Sequence, residues 1–401
     1  MKSLKTITVL LFSSLILSAC VDPTGNRNPD SEDQNGQSEN AQTNVIKRNQ
    51  LGGDYYIPVL TDEGGYATSQ NRGVTLNLNS SINISLFEKD LMRLSQEQFS
   101  TDTYMIQEGQ YLTSDMVTSW LGREANPDTE GMSEDAIAEM EFTKGLNPAQ
   151  SPEFNPSENV YNHDDDVRQP NYLQSILEFD FYKEAGSEYP DALSIGLALN
   201  SADYYQTEIG GPVYTQDIPD DKILKQGQSM ASEIVRRVRQ LEGLSDIPIF
   251  VGLYKQSARD ELGGGVYIAT GTSTNGSTAI QSWETIKEQR LIFPLQGKDS
   301  SEGNAFANFQ SEVEKFFPNL SGVTGEAHYI DEQLVELKIN IVTQFYGKTE
   351  MIAFSQYLKQ SAETFLPQDL DVEIIVESTR SVEAFLKKDR TEAEYFAHVF
   401  N

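Results

Sequence analysis

Cysteine occurs once in 401 residues, histidine three times and tryptophan twice. A single thiol closes no internal disulfide and builds no Cys-rich zinc module. Three histidines leave little for a His-based metal site. Positive charge is scarce as well: 30 Lys+Arg stand against 61 Asp+Glu, a net charge of −31. A body that acidic repels phosphate backbones, which excludes nucleic acid as a partner. The motifs GxxxxGK[ST], GxSxG and HExxH are absent. Gly263-Gly264-Gly265 precedes a strand pattern, not a helix, and reads as a turn. Catalytic residues, metal and cofactor are therefore all expected to be absent. With 38% hydrophobic and 10% aromatic residues, the chain is too polar for a multi-span membrane protein. It has enough apolar mass for two or three modest cores.

What is present is concentrated at the N-terminus. Lys2 and Lys5 precede an apolar run from Ile7 to Leu17. That run is shorter than the ~20 residues a membrane-spanning helix needs. It fits the apolar region of a secretory signal, residues 1–19, with cleavage between Ala19 and Cys20. The only cysteine follows Leu17-Ser18-Ala19 directly. Leu17, Ser18, Ala19 and Cys20 form the lipobox pattern of bacterial lipoproteins. The thiol is required to take diacylglycerol through a thioether, and the small side chains let the peptidase approach the backbone. The freed Cys20 amine accepts a further acyl chain such as palmitate. Two or three chains give a durable anchor where one binds only marginally. Diacylglyceryl transferase and signal peptidase II are the expected maturation partners. The expected location is the outer face of the cell membrane. Loss of residues 1–19 would leave 28 basic and 61 acidic residues, −33.

Residues 20–50 hold the expected lipidated cysteine and a polar tether without aromatic residues, too poor in apolar mass to fold. Residues 51–123 read as an N-terminal α+β lobe. Its predicted parts are strands at 55–60, 74–78 and 104–112, a helix carrying Leu86, Phe87, Asp90, Leu91, Leu94 and Phe99, and a helix capped at Thr113 or Ser114. Residues 124–170 are acidic and Pro-rich and read as a poorly ordered connection, with one helix from Ser133 to Phe142. Residues 171–401 read as a C-terminal α+β domain. Strands are predicted at 172–182, 192–199, 247–254, 265–270, 290–295, 325–330, 334–345 and 370–376, and helices at 221–241, 305–316 and 350–365. The order strand, strand, helix, strand occurs twice, at 172–254 and 323–376, and suggests two ββαβ units. The expected class is α+β in two lobes, with antiparallel or mixed sheets and packed helices.

Several short segments together resemble one family over nearly the whole body. They are Arg72-Gly73, Leu86-Phe87-Glu88, Leu94-Ser95, Glu108-Gly109-Gln110-Tyr111-Leu112, Trp120-Leu121-Gly122-Arg123 and Gly145-Leu146-Asn147-Pro148. Tyr172-Leu173, Ile176-Leu177-Glu178 and Pro248-Ile249 continue the series. The chain resembles the CamS family of Gram-positive lipoproteins, sex pheromone precursors. The resemblance implies a short apolar peptide cut from the end of the signal sequence. Here that peptide is Ser13, Ser14, Leu15, Ile16, Leu17, Ser18 and Ala19, and recipient cells would sense it in conjugation signalling. The resemblance leaves the role of the folded body open.

Other chemistry in the body reads as structural. His163 beside Asp164, Asp165 and Asp166 is a solvated charge run. His328 and His398 have no Ser or Cys partner at motif spacing. Lys255, Arg259 and Arg290 read as scattered surface bases. Gln107 to Leu112 and Trp120 to Arg123 mix polar and aromatic residues and are the best candidates for a binding surface, although the spacing of Trp120 with Met116 and Val117 places it in a core. Two alternatives stand beside the pheromone precursor: a tethered protein that binds a ligand or envelope component, and a cell-wall hydrolase. A cleft of convergent polar groups would favour the first, and a close carboxylate pair with one raised pKa the second.

Overall fold

The computed structural model describes residues 55–61, 63–75, 78–150, 169–206, 210–295, 300–316, 322–344 and 347–400. The architecture is α+β. A seven-stranded sheet runs β1-β2-β3-β4-β7-β8-β9, and a six-stranded sheet runs β10 to β15 in chain order. The first sheet comprises β1 (Ile57–Pro58), β2 (Met105–Glu108), β3 (Leu173–Tyr182), β4 (Ala192–Leu199), β7 (Ile249–Lys255), β8 (Val266–Ser273) and β9 (Ser282–Thr285). Between β4 and β7 a separate hairpin, β5 (Ala202–Gln206) and β6 (Val213–Asp217), is inserted. The second sheet comprises β10 (Glu288–Phe293), β11 (Gly322–Ile330), β12 (Gln333–Val342), β13 (Asp371–Glu377), β14 (Val382–Lys388) and β15 (Phe396–Val399).

Both faces of the first sheet are covered. Its central strand β4, ALSIGLAL, is buried at every position, as expected of a strand packed on two sides. On one face lie α3 (Ser114–Leu121) and α5 (Asp220–Val238), which bury Val117, Trp120, Ile223, Met230, Ile234 and Val238 in one cluster. Each fully buried side chain of this size contributes about 1.5–3 kcal/mol. On the other face lies α2 (Ser81–Ser95), whose Leu86, Phe87, Leu91 and Leu94 repeat at helical spacing. Ser80 caps it by accepting a bond from the Asn83 amide. The sheet leaves room for α2 at Gly196 and Gly252, which face each other across β4 and β7. A Cβ at Gly252 would sit 2.6 Å from the Tyr267 ring, and one at Gly196 would sit 2.8 Å from Phe87.

The second sheet buries one face under α6 (Ser301–Phe316) and α7 (Lys348–Phe365), around Phe306, Phe309, Phe354 and Leu358. Its strands match those of the first sheet pairing for pairing. β2·β3, β3·β4, β7·β8 and β8·β9 are antiparallel, and β4·β7 is parallel across α5. β10·β11, β11·β12, β13·β14 and β14·β15 are antiparallel, and β12·β13 is parallel across α7. The repeat is therefore six strands long, two strands beyond ββαβ on one side and one on the other. β1 is an addition to the first copy, and pairs with β2 in parallel.

Several predicted elements differ from what forms. Val74 to Thr75 end a short helix, α1 (Arg72–Thr75), where alternation predicts a strand. The strand expected over 104–112 stops at Glu108, because the amides of the next residues turn to side-chain carboxyls. The stretch read as a poorly ordered connection is folded over its described part. It holds α4 (Glu134–Thr143), capped by Ser133, and Phe142 and Leu146 pack on the core of the first sheet. Asn147, 1% exposed, takes the Tyr172 and Leu173 amides on its Oδ1 at 2.8 Å each. Strands from both sides of 124–170 share the first sheet, and the change of sheet comes between β9 and β10.

Candidate functional site

A cleft of about 970 Å³ opens between the two sheets. One wall is the end of β7 with the loop after it, Lys255 to Val266, together with Ser201, Asp217 and Asp220. The other wall is Lys287 to Ile292 with Tyr329 and Glu332. Carboxylates outnumber cations along it. Lys255 donates to Asp220 at 2.8 Å. The loop is drawn tight by Gly263-Gly264-Gly265. A Cβ at Gly265 would lie 2.3 Å from the Lys255 carbonyl oxygen, one at Gly264 2.4 Å from Leu86, and one at Gly263 3.2 Å from the Arg290 carbonyl oxygen. The glycines serve close approach, in keeping with the turn expected of them.

Asn83 on α2 organises that loop. It is fully buried, and its Oδ1 accepts from the Tyr254 hydroxyl at 2.9 Å, the Gly265 amide at 2.8 Å and the Ser257 amide at 3.2 Å. Its Nδ2 donates to Asn79 at 2.5 Å and Ser257 at 3.2 Å. No sequence motif marks it. The only local signal is an Asn on the apolar stripe of a helix.

Behind the cleft, α2 meets the second sheet through charge. Arg290 Nη2 donates to Asp90 at 2.8 Å, and Nη1 donates to Glu326 at 2.6 Å. Arg93 bonds Glu288 at 2.7 Å and Asp90 at 3.3 Å, and Lys89 bonds Glu336 at 3.0 Å. His328 Nε2 stands 3.2 Å from Glu288. Burial pushes the Asp90 carboxyl up, but Arg290, Arg93 and His328 more than offset it and hold it below the usual range. Arg290 is thus no scattered surface base: it and Asp90 are buried partners. Lys255 is partly buried against Asp220, and Arg259 is exposed over the Tyr204 ring.

A second carboxylate group lies inside the first sheet. Glu178 and Asp180 alternate on one face of β3 and are 1% and 0% exposed. Glu178 accepts the Leu112 amide at 2.9 Å and the Tyr111 amide at 3.3 Å, and Asp180 accepts the Gln110 amide at 2.9 Å. Burial pushes Glu178 up to about 7. Burial and then Glu178 push Asp180 well above the carboxylate range. This is a close pair with raised pKa values, but it is sealed beneath residues 110–112. It holds a loop and reaches no substrate.

The expected binding surface at Gln107 to Leu112 and Trp120 to Arg123 is half-buried to buried, and several of its polar groups are spent on internal bonds. Trp120 is fully buried with Nε1 on the Phe142 carbonyl at 2.8 Å, and Arg123 is tied to the carbonyls of Pro148 and Gln169. His398 packs on Phe400. Ser13 to Cys20 and His163 to Asp166 lie outside the described residues. Among the described residues no Ser–His or Cys–His pair forms, no group of three metal-ligating side chains assembles, and no helix is long and apolar enough to cross a membrane.

The fold and its cleft define a duplicated α+β body of two sheets joined by a buried ionic seam. Comparison with known proteins places that body. The model of the CamS sex pheromone cAM373 precursor family matches residues 66–394, and the chain belongs to this family. It is similar to the crystal structure of a sex pheromone precursor from Lactobacillus salivarius subsp. salivarius UCC118, at 32% identity and a TM-score of 0.77, over 89% of this chain and 98% of that one. It is also similar to the C-terminal domain of the sex pheromone staph-cAM373 precursor from Staphylococcus aureus, at 30% identity and a TM-score of 0.66, over 82% of this chain and 99% of that one. No curated protein sequence matches significantly. Membership is consistent with an extracellular or envelope protein, and the family is not a known enzyme class.

Proposed function

We propose that the protein is a lipid-anchored precursor on the outer face of the cell membrane, and that its signal sequence releases an apolar peptide pheromone. The observation that carries this reading is family membership combined with a lone cysteine placed directly after Leu17-Ser18-Ala19. In this reading Cys20 takes diacylglycerol, signal peptidase II cuts before it, and a second cut between Phe12 and Ser13 frees Ser13 to Ala19 as SSLILSA for recipient cells to sense. The folded body stays tethered by residues 20–50 and catalyses nothing. Two acyl chains or more are needed to hold it.

The test is a Cys20→Ser variant with cell fractionation. The wild type is expected in the membrane fraction with a lipid-modified mature N-terminus, and the variant is expected uncut. Mass spectrometry of the culture supernatant should find SSLILSA only with the wild type. Trimming at the same bond and membrane retention of the serine variant would refute anchoring. Anchored protein with no such peptide in the medium would refute release alone.

The cleft supports a second reading of the body, as a tethered binding protein. Its polar groups converge between two rigid sheets, where ligand sites commonly form.

A further inference from the structure

A smaller cavity, about 370 Å³, lies between α1, α2, β2 and β3, away from the cleft just described. Its size falls within the range of small-molecule pockets. α2 presents Glu88 and Met92 to it, one helical turn apart, and β3 supplies the apolar surface of Leu177 and Phe179. Arg72 and Glu108 complete the charged part of the wall.

The two carboxylates are treated differently. Glu108 is fully answered: Oε1 takes the Tyr66 hydroxyl and Arg72, each at 3.3 Å, and Oε2 takes the Ser69 amide at 2.9 Å. Glu88, half-buried on the same wall, makes no hydrogen bond or ion pair among the described residues. Burial, and then the charge of Glu108, push its carboxyl up, with Arg72 only partly opposing. The nearby cations are already engaged, Arg72 by Glu108 and Lys89 by Glu336. A half-buried carboxylate beside apolar surface, with no cation of its own, is a site that a ligand cation would complete.

We propose that this cavity binds a small molecule carrying a primary ammonium group on an apolar body, with Glu88 as the counter-ion and Met92, Leu177 and Phe179 as the apolar seat. This goes beyond both readings of the protein's function. It needs neither the lipid anchor nor peptide release, and it uses a different cavity from the cleft.

Titration calorimetry of the full chain with leucinamide and with isocaproate tests it, because the two share an isobutyl body and differ in the charged end. At neutral pH leucinamide should bind at one site and isocaproate about tenfold more weakly or not at all. Glu88→Gln should weaken leucinamide by about tenfold or more, the worth of a charge-assisted bond, with no change in the melting temperature without ligand. Arg72→Gln should tighten it a few-fold, because a competing cation is removed. Should Glu88→Gln fail to fold, Met92→Trp fills the seat without touching charge and should abolish binding. Absence of leucinamide binding, equal binding of isocaproate, or full binding by Glu88→Gln would overturn the proposal.

Discussion

Glu178 and Asp180 are two acids in the interior of a chain already rich in acids, and they work as receptors for three consecutive amides, 110 to 112. A carboxyl with a raised folded pKa binds its proton more tightly in the folded state. Its contribution is present below the unfolded pKa and is lost as pH rises through the folded one. For Glu178 that window runs from the ordinary value of 4.5 to about 7. Urea unfolding at several pH values should therefore show wild-type stability falling across this range. Glu178→Gln should flatten the fall by about 3 kcal/mol while lowering stability at the acid end. An unchanged slope would mean that the pair does not hold a proton. Asn83 is the other residue of this kind. Asn83→Ala takes the acceptor from the Tyr254 hydroxyl and the Ser257 amide, leaves the Gly265 amide only the Tyr254 oxygen, and should cost about 2–4 kcal/mol in a denaturant melt. In sequence both sites are polar letters inside apolar patterns. The pattern says that they are buried and cannot say what satisfies them.

At the scale of elements, local chemistry reads well where the signal is local. Thr113 and Ser133 cap α3 and α4 as their side chains predict, and Thr113→Ala should cost about 1 kcal/mol. The apolar stripe of α2 was legible because period 3.6 needs no knowledge of the partner. Alternation at Val74 and Thr75 misled because so short a run does not separate a strand from a helical turn. β9, β14 and β15, and the β5–β6 hairpin, were not legible at all. They are short or carry charged and exposed positions, and they form because a neighbouring strand is already in place. Gly252 is the complementary case, a gap filled by the Tyr267 ring of β8, with Leu91 of α2 beside it. Gly252→Val should displace the Tyr267 ring and loosen α2 from the sheet, seen as faster amide exchange along α2 than along α7.

At the scale of the molecule, the two six-stranded copies share a topology, and a seam of charges joins α2 of the first to the sheet of the second. Removing Asp90 takes from Arg290 its fully buried partner and leaves it only the more exposed Glu326. Asp90→Ala should therefore cost about 3–5 kcal/mol by urea unfolding, and the double variant Asp90→Leu with Arg290→Met should regain most of it. Additive losses in the double variant would show that the pair does not act as a unit. The doubled ββαβ order was visible in sequence, because strand and helix periods survive divergence. Its true extent was not, since the flanking strands β9, β14 and β15 carry weak patterns.

The amino-acid string alone settled the α+β class, the acidic charge, the family resemblance and the order of most elements, because each depends on composition or on neighbours within a few residues. Tertiary structure alone decided that Arg290 is buried, that the amides of Gln110 to Leu112 turn to buried carboxyls and that Glu88 has no partner among the described residues. Asp90 and Arg290 are 200 residues apart in the chain. Whether a charge meets water or its opposite depends on which distant segment folds against it, and no local period encodes that.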